Sequence, residues 1–490
     1  MSRLSCLAAL PLAIVAGVLA QTDAPLPPSA IDLPHIGEPA DNTLSPMQEK
    51  ALGARVMGEL YRGGYILEDP ELTDYISAIG WKLAAHSATR APELTFFMVK
   101  DNRINAFAMP GGYIGFNTGL LIAADTESEV AGVMGHELAH VTQRHLARTA
   151  ADTEVANIAT WLGVIAAIIA GSADPDVVMG ALSLGQAMSY QRQVSYTRAH
   201  EHEADRIGIQ TMAKAGYDPN GMASFFQKLG QQARLYGSGL PEILRTHPLT
   251  TNRIAEARAR AAEMPAVEVK DPPEFGFMRA RARVLSAERP SIAVNDFGAS
   301  IAAGRDSDEN RYGLAFALGE TGQVERALEI MQTLDRRHPN QANVQLLHGR
   351  LLMLAGRHEQ GLVTLERSLQ RYPRYAPAIL TYAEALMAAG RPDDARQVLL
   401  AHEQALGTQL HTFNLLARAA RESGNMAEAS YQMATFLHRR GDAGQALAQL
   451  DAGLRLPDLD DKQRARLLAK RREVRASLPD NWRPLDERDR

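Results

Sequence analysis

The chain has 490 residues, too many for one ordinary hydrophobic core, and its 46% apolar and 22% charged content is that of folded domains. A formal net charge of −5 argues against a general nucleic-acid binder, which carries a basic excess. The single cysteine, Cys6, leaves nothing downstream for disulfides or thiolate metal ligands.

Arg3 precedes an apolar run from Leu4 to Leu19 and the pair Val18-x-Ala20 before polar residues. This is the form of a secretory signal peptide cleaved after Ala20 (residues 1–20) rather than a permanent anchor, and it places the protein in the periplasm of a Gram-negative cell. Residues 21–44, rich in Pro, Asp and Ala, read as a linker. Helical periodicity then runs from Ser45-Pro46 to Gly63-Gly64 and again from Pro70 to Ala88. Leu94–Val99 is β-rich, and Asn105–Phe116 reads as two short strands around Pro110-Gly111-Gly112, with a sheet edge near Asn105–Met109 that an extended peptide could join as a further strand.

Thr126-Glu127-Ser128-Glu129 has the capping-box form and opens a helix of small apolar residues that carries His136-Glu137-Leu138-Ala139-His140. On a helix the two imidazoles stand one turn apart on one face, placed to bind a single Zn²⁺, and Glu137 is placed to take a proton from water at the open position. Val155–Ala170 is apolar but short for a span and carries Asn157 and Thr160. It reads as a buried or interfacial helix, which leaves peripheral membrane contact open, and 171–185 reads as a lid.

A third metal ligand is needed. Gln143 and Leu146 stand where a longer three-histidine motif would have Gly and His, and helical spacing turns His145 away from the face of His136 and His140. The alternative is a Glu from a second helix. Tyr196–Ile209 is such a helix, with Glu201 as ligand and Asp205, one turn on, accepting from a ligand imidazole and fixing its tautomer. His200, His202 and Glu203 lie at other angles and read as solvent-facing. His247, in the loop Thr246-His247-Pro248, is a candidate reversible fourth ligand or oxyanion stabiliser.

These segments together (His136-Glu137-x-x-His140, Glu201–Asp205, Ala215–Pro219, and Thr246-His247-Pro248 with Arg253) resemble the gluzincin family of HtpX and the CAAX prenyl protease over about residues 45–265. The resemblance implies a Zn²⁺ cofactor on His136, His140 and Glu201 with Glu137 as base. It is strongest to the soluble periplasmic branch that pairs a protease with helical repeats.

The second half repeats. Gly322, Gly356, Gly390 and Gly424 are each 34 residues apart, followed five residues later by Ala327, Gly361, Ala395 and Ala429. Small residues also stand seven before each glycine, at Ala315, Gly349, Ala383 and Ala417. That is the period of tetratricopeptide helix pairs, with 275–287 and 462–477 as capping helices. The expected fold is therefore mainly α with a small β-sheet: a zincin metalloprotease domain (45–265) followed by an all-α tetratricopeptide-repeat superhelix (275–480).

The expected function is a zinc endopeptidase that degrades misfolded or stalled exported and outer-membrane proteins and has a chaperone-like role in β-barrel assembly. The resemblance implies that the repeats dock on the outer-membrane β-barrel assembly machinery or its clients. The alternative is an assembly scaffold whose protease site is latent, or an array that merely supports the protease.

Overall fold

The computed structural model describes residues 44–89, 93–152, 198–236, 241, 243–265, 267, 269–407 and 409–478. The expected signal peptide, nearly all of the linker, the 155–170 helix, the 171–185 lid and Tyr196-Thr197 lie outside them.

Helix α1 (Pro46–Arg62) starts where Ser45 accepts from the Gln48 amide and the Gln48 side chain bonds back to Ser45, closing a reciprocal cap. Helix α2 (Pro70–Ala84) starts at Asp69, whose carboxylate accepts from the Leu72 amide. Three strands follow, β1 (Thr95–Val99), β2 (Ala106–Met109) and β3 (Tyr113–Asn117), in the order β1-β3-β2. β3 pairs parallel with β1 and antiparallel with β2, through the turn in which Gly111 and Gly112 take φ of 80° and 84°. β2 is thus an edge strand.

Both faces of the sheet are buried, so β1 alternates between two cores. Phe96 and Met98 join Ile76, Ile79, Leu83, Ile114, Phe116, Val130 and Met134 in the main core. Phe97 and Val99 join Leu52, Val56, Leu60, Phe107 and Met109 on the other face, under α1. After α3 (Thr118–Ala123) comes α4 (Glu127–Thr142), the helix with both motif histidines, and then α5 (His145–Asp152). Helices α6 (Arg198–Lys214), α7 (Asn220–Tyr236), α8 (Ile243–Thr246) and α9 (Thr251–Ala262) pack around α4 and one another.

Of the remaining described helices, α10 (Pro273–Ser286) and α11 (Pro290–Ala302) both pack on α12 (Asp308–Glu320), which pairs with α13 (Val324–Arg337), and α14 (Ala342–Leu354) pairs with α15 (His358–Arg371). Next come α16 (Ala376–Ala388) with α17 (Pro392–Ala401), the short α18 (Glu403–Leu406), α19 (Leu410–Glu422) with α20 (Met426–Arg439), and α21 (Ala443–Leu454) with α22 (Asp461–Ala476). The four periodic glycines sit in the intra-pair turns with φ between 73° and 79°, a region costly for any residue with a Cβ. The small residues five after and seven before them are buried between paired helices; a Cβ on Gly361 would come within 3.1 Å of the Gly349 carbonyl. Helices α10 and α22 fall where the capping helices at 275–287 and 462–477 are expected. A further helix, α11 at one end and α21 at the other, lies between each of them and the four periodic pairs, next to turns that lack the periodic glycine, so the 34-residue spacing did not reveal it.

The array packs directly on the N-terminal half. Arg281 of α10, buried, forks onto Asp69 at 2.8 Å through two bonds and reaches Glu71 at 2.7 Å. Asn343 of α14 donates to Glu71 at 3.1 Å. At the far end Arg62 of α1 donates to the Gly441 carbonyl at 2.9 Å, and a Cβ on Gly441 would stand 2.6 Å from the Gly58 Cα.

Candidate metal centre

Thr126 caps α4 by accepting from the Glu129 amide. The Glu129 carboxylate reaches back to the Asp125 amide and is held by Ser224 and Lys228 of α7, which ties the start of α4 to its neighbour. α4 and α6 then cross where Gly135 meets Gly208. A Cβ on Gly208 would come within 3.0 Å of the Gly135 carbonyl carbon and the His136 nitrogen. That close approach brings side chains of two helices to one point.

His136, His140 and Glu201 meet there, joined by His247 from the loop between α8 and α9; one donor atom from each of the four lies within 4.8 Å of the others, and all four are buried. The Nε2 atoms of His136 and His140 are 3.0 Å apart, and Glu201 oxygens lie 3.6 and 3.5 Å from them. His247 Nδ1 is 2.9 Å from Glu201 and 3.3 Å from His136 Nε2. Three imidazoles and a carboxylate make a donor set suited to a divalent transition metal, zinc foremost. Both carboxyl oxygens of Glu137 are buried without a hydrogen-bond partner among the described residues, and His247 Nε2 is 3.5 Å from one of them. An unsatisfied buried carboxylate costs free energy and is retained where a ligand meets it.

Asp205 lies 2.9 Å from His136 Nδ1, so it holds that ring with Nε2 turned toward the other donors. Arg253, buried, pairs with both Asp205 oxygens at 2.7 and 2.8 Å and with Glu201 at 2.7 Å. Burial pushes the Asp205 carboxyl up, but the bonds from Arg253 and His136 outweigh it and bring it down to about 2. Burial would likewise raise Glu201 and lower His247; their mutual attraction reverses both shifts. His140 is held well below the ordinary histidine range by burial and by the neighbouring imidazoles, which favours the neutral, ligating form. Beside His136 and His247 lies an apolar hollow walled by Val133, Phe226, Leu229, Ile243, Leu244 and Leu249.

Two sequence expectations need correcting. His145 does not point away: α4 ends at Thr142, Arg144 adopts a left-handed φ of 51°, and α5 restarts at His145. The fold is held there by Arg144 bonds to the Leu44 carbonyl and Glu49. His145 is thereby fully buried, with Nδ1 2.8 Å from His140 Nδ1. His200 and Glu203 are not plain solvent-facing residues either. His200 is buried and stacks on His145 at 4.4 Å, and Glu203 lies 3.1 Å from His145 Nε2 and 3.0 Å from Arg148. Of the three residues assigned to solvent, His202 and Glu203 remain partly exposed, and His202 is paired with Glu256. No residue pattern announces an arginine in left-handed backbone, so the sequence carried no signal for His145. Arg253 stood in the sequence motif without a role.

A small sheet beside a helix with this two-histidine, one-glutamate group is the architecture of a zinc metallopeptidase. Residues 70–261 match the sequence profile of peptidase family M48, and 284–351 and 352–407 match that of a tetratricopeptide repeat. The chain is 37% identical over 316 residues to the β-barrel assembly-enhancing protease of Escherichia coli (strain K12), covering 64% of this chain and 65% of that relative. The matched part thus spans just under two thirds of the relative's length. A putative β-barrel assembly-enhancing protease of Vibrio cholerae is 41% identical over 256 residues, 52% of each chain. The mitochondrial metalloendopeptidase OMA1 of Arabidopsis thaliana is 34% identical over 169 residues, 34% of this chain and 31% of that one. Among the described residues no helix is long and apolar enough to cross a membrane.

Proposed function

We propose that this protein is a periplasmic zinc endopeptidase that degrades misfolded or stalled exported proteins, outer-membrane proteins among them, and supports β-barrel assembly with a chaperone-like role. The observation that carries the reading is a buried Glu137 carboxylate with no hydrogen-bond partner among the described residues, beside His136, His140 and Glu201. A scaffold has no use for such a group; a hydrolase does. In this reading His136, His140 and Glu201 hold a single zinc ion, which supplies the positive charge that acidifies water and polarises a peptide carbonyl. Glu137 accepts the proton of the attacking water on a carboxylate oxygen and returns it to the leaving amine. Asp205 keeps His136 in the ligating tautomer, and His247 is a reversible fourth ligand or an oxyanion stabiliser. An extended peptide adds along the β2 edge, where backbone bonds give sequence-tolerant affinity.

The protease unit is assigned to 45–265 and the repeat unit to 275–480. The repeats contact the β-barrel assembly machinery or its clients, a reading supported by relatives named for assisting that assembly. The array's packing on α2 through Arg281 and Asn343 supports a second role as a brace for the protease. The deciding experiment measures bound zinc and cleavage of an unfolded outer-membrane protein for the unchanged chain and Glu137→Gln. One zinc in both with cleavage only in the unchanged chain supports the peptidase; zinc in both and cleavage in neither supports the scaffold. His247→Ala is expected to change activity while zinc stays near one per chain; loss of zinc in that variant would make His247 a structural ligand.

A further inference from the structure

We propose that His145 and Glu203 form an orienting arm behind His140, the counterpart of Asp205 behind His136, and that α6 therefore supplies one ligand and the supports of both histidine ligands. The inference rests on the metal reading above. His136 and His140 both turn Nε2 toward the donor cluster, so each presents Nδ1 outward, where its proton needs an acceptor. For His136 the carboxylate at that position is Asp205, 2.9 Å away. For His140 the atom at that position is His145 Nδ1 at 2.8 Å.

The proton positions follow from the chemistry. With His140 Nε2 on a metal, its Nδ1 carries the hydrogen and donates it, so His145 Nδ1 accepts. His145 is then protonated on Nε2, and that N–H points at the Glu203 carboxylate 3.1 Å away. Every donor in the chain meets an acceptor. In the opposite assignment His145 donates to His140, His140 Nδ1 carries no hydrogen, and its Nε2 is blocked by a proton. The Glu203 charge selects against that arrangement.

The arm is built, not incidental. His145 is fully buried and held flat against His200, with 13° between the ring planes. Glu203 is fixed from outside by Arg148 at 3.0 Å. The left-handed Arg144, costly for a residue with a side chain, is what returns His145 to this place. Glu201, Glu203 and Asp205 alternate along α6, and the intervening imidazole is what lets Glu203, which points away from the metal cluster, act on it.

The test measures zinc affinity of the full-length chain by competition with a chromophoric chelator, together with the melting temperature of the metal-free and zinc-loaded forms. Glu203 is partly exposed, so Glu203→Gln keeps the fold while removing the charge. It is expected to weaken zinc about tenfold, leave metal-free melting unchanged and shrink the zinc-induced rise in Tm. His145→Phe keeps the ring against His200 but loses both nitrogens, and is expected to weaken zinc by up to about 100-fold. His145→Gln, which offers an acceptor to His140 and a donor to Glu203, is expected to recover most of that loss, which a purely packing role would not produce. Zinc held within about twofold of the unchanged chain by Glu203→Gln overturns the proposal, as does a loss in His145→Gln equal to that in His145→Phe. An unchanged chain that binds no zinc instead removes the metal reading itself.

Discussion

The two halves of the molecule solve the same packing problem by different means. In the repeat array a short turn with φ near 75° at glycine recurs every 34 residues, and the paired helices close on small side chains at fixed offsets. In the protease half each close approach is unique: Gly135 against Gly208, Arg144 bent back on Glu49, Arg253 forked across Asp205. Buried charge follows the same division. Carboxylates and guanidinium groups lie deep around the metal centre and again at the seam where Arg281 meets Asp69 and Glu71. A repeated interface can be stabilised by apolar area alone, whereas a reactive site needs polar groups held in a dry place, each of which must be matched.

The largest expected effect separates the halves by function. Glu137→Gln is expected to lower peptide cleavage by at least about a thousandfold, within the range for loss of a general base, while zinc content and melting temperature hold. A parallel loss of stability would show that the Glu137 charge is structural, and would make the protease half resemble the array after all. Next comes the seam. Arg281→Met leaves Asp69 and Glu71 buried with no guanidinium between them, which is expected to cost about 3–5 kcal/mol in urea unfolding. If the two halves then unfold in separate transitions, Arg281 is what couples them.

The array was legible in the sequence because its geometry is periodic: one spacing, read from four glycines, located the intra-pair turns of four helix pairs. Helices α11 and α21 escaped because the turns at 287–289 and 455–460 beside them are not built on that glycine. In the protease half the residues that could be placed were those whose partners are one helical turn away, His136 with His140 and Glu201 with Asp205. Ideal helical spacing misplaces His145, because one left-handed residue, Arg144, cancels any spacing rule beyond it. His200 and Glu203 were misplaced with it, since His200 is buried against His145 and Glu203 turns to its Nε2.

The seam also gives a pH-dependent comparison. Burial, with the charges of Glu127, Asp74 and Glu71 added, pushes the Glu274 carboxyl up to about 7, and burial together with Glu71 pushes Asp74 up to about 6. A carboxyl raised on folding holds its proton more tightly in the folded state, so folding is favoured by low pH and this contribution is lost as pH rises from the unfolded value toward 7. Glu274→Gln is therefore expected to stabilise the protein by about 2–3 kcal/mol at pH 8 and by little at pH 4. A stability gain independent of pH would assign the effect to packing instead of charge.

The smallest expected effect sharpens the contrast between a repeat turn and the seam, because the same backbone strain occurs at both. Gly356 has φ of 74° and nothing within 4 Å of where its Cβ would stand; Gly441 has φ of 90° and the Gly58 Cα at 2.6 Å. Gly356→Ala then reports only the left-handed penalty, about 1–2 kcal/mol. Gly441→Ala reports a similar penalty plus the cost of pushing α1 away from the turn, so the difference between the two variants isolates that contact. The difference is expected to be about 1–2 kcal/mol, since the Gly58 Cα is backbone and can yield only by moving the helix. Equal losses in the two variants would mean that α1 and the last repeats separate at little cost, and that the array is fastened to the protease through α2 alone.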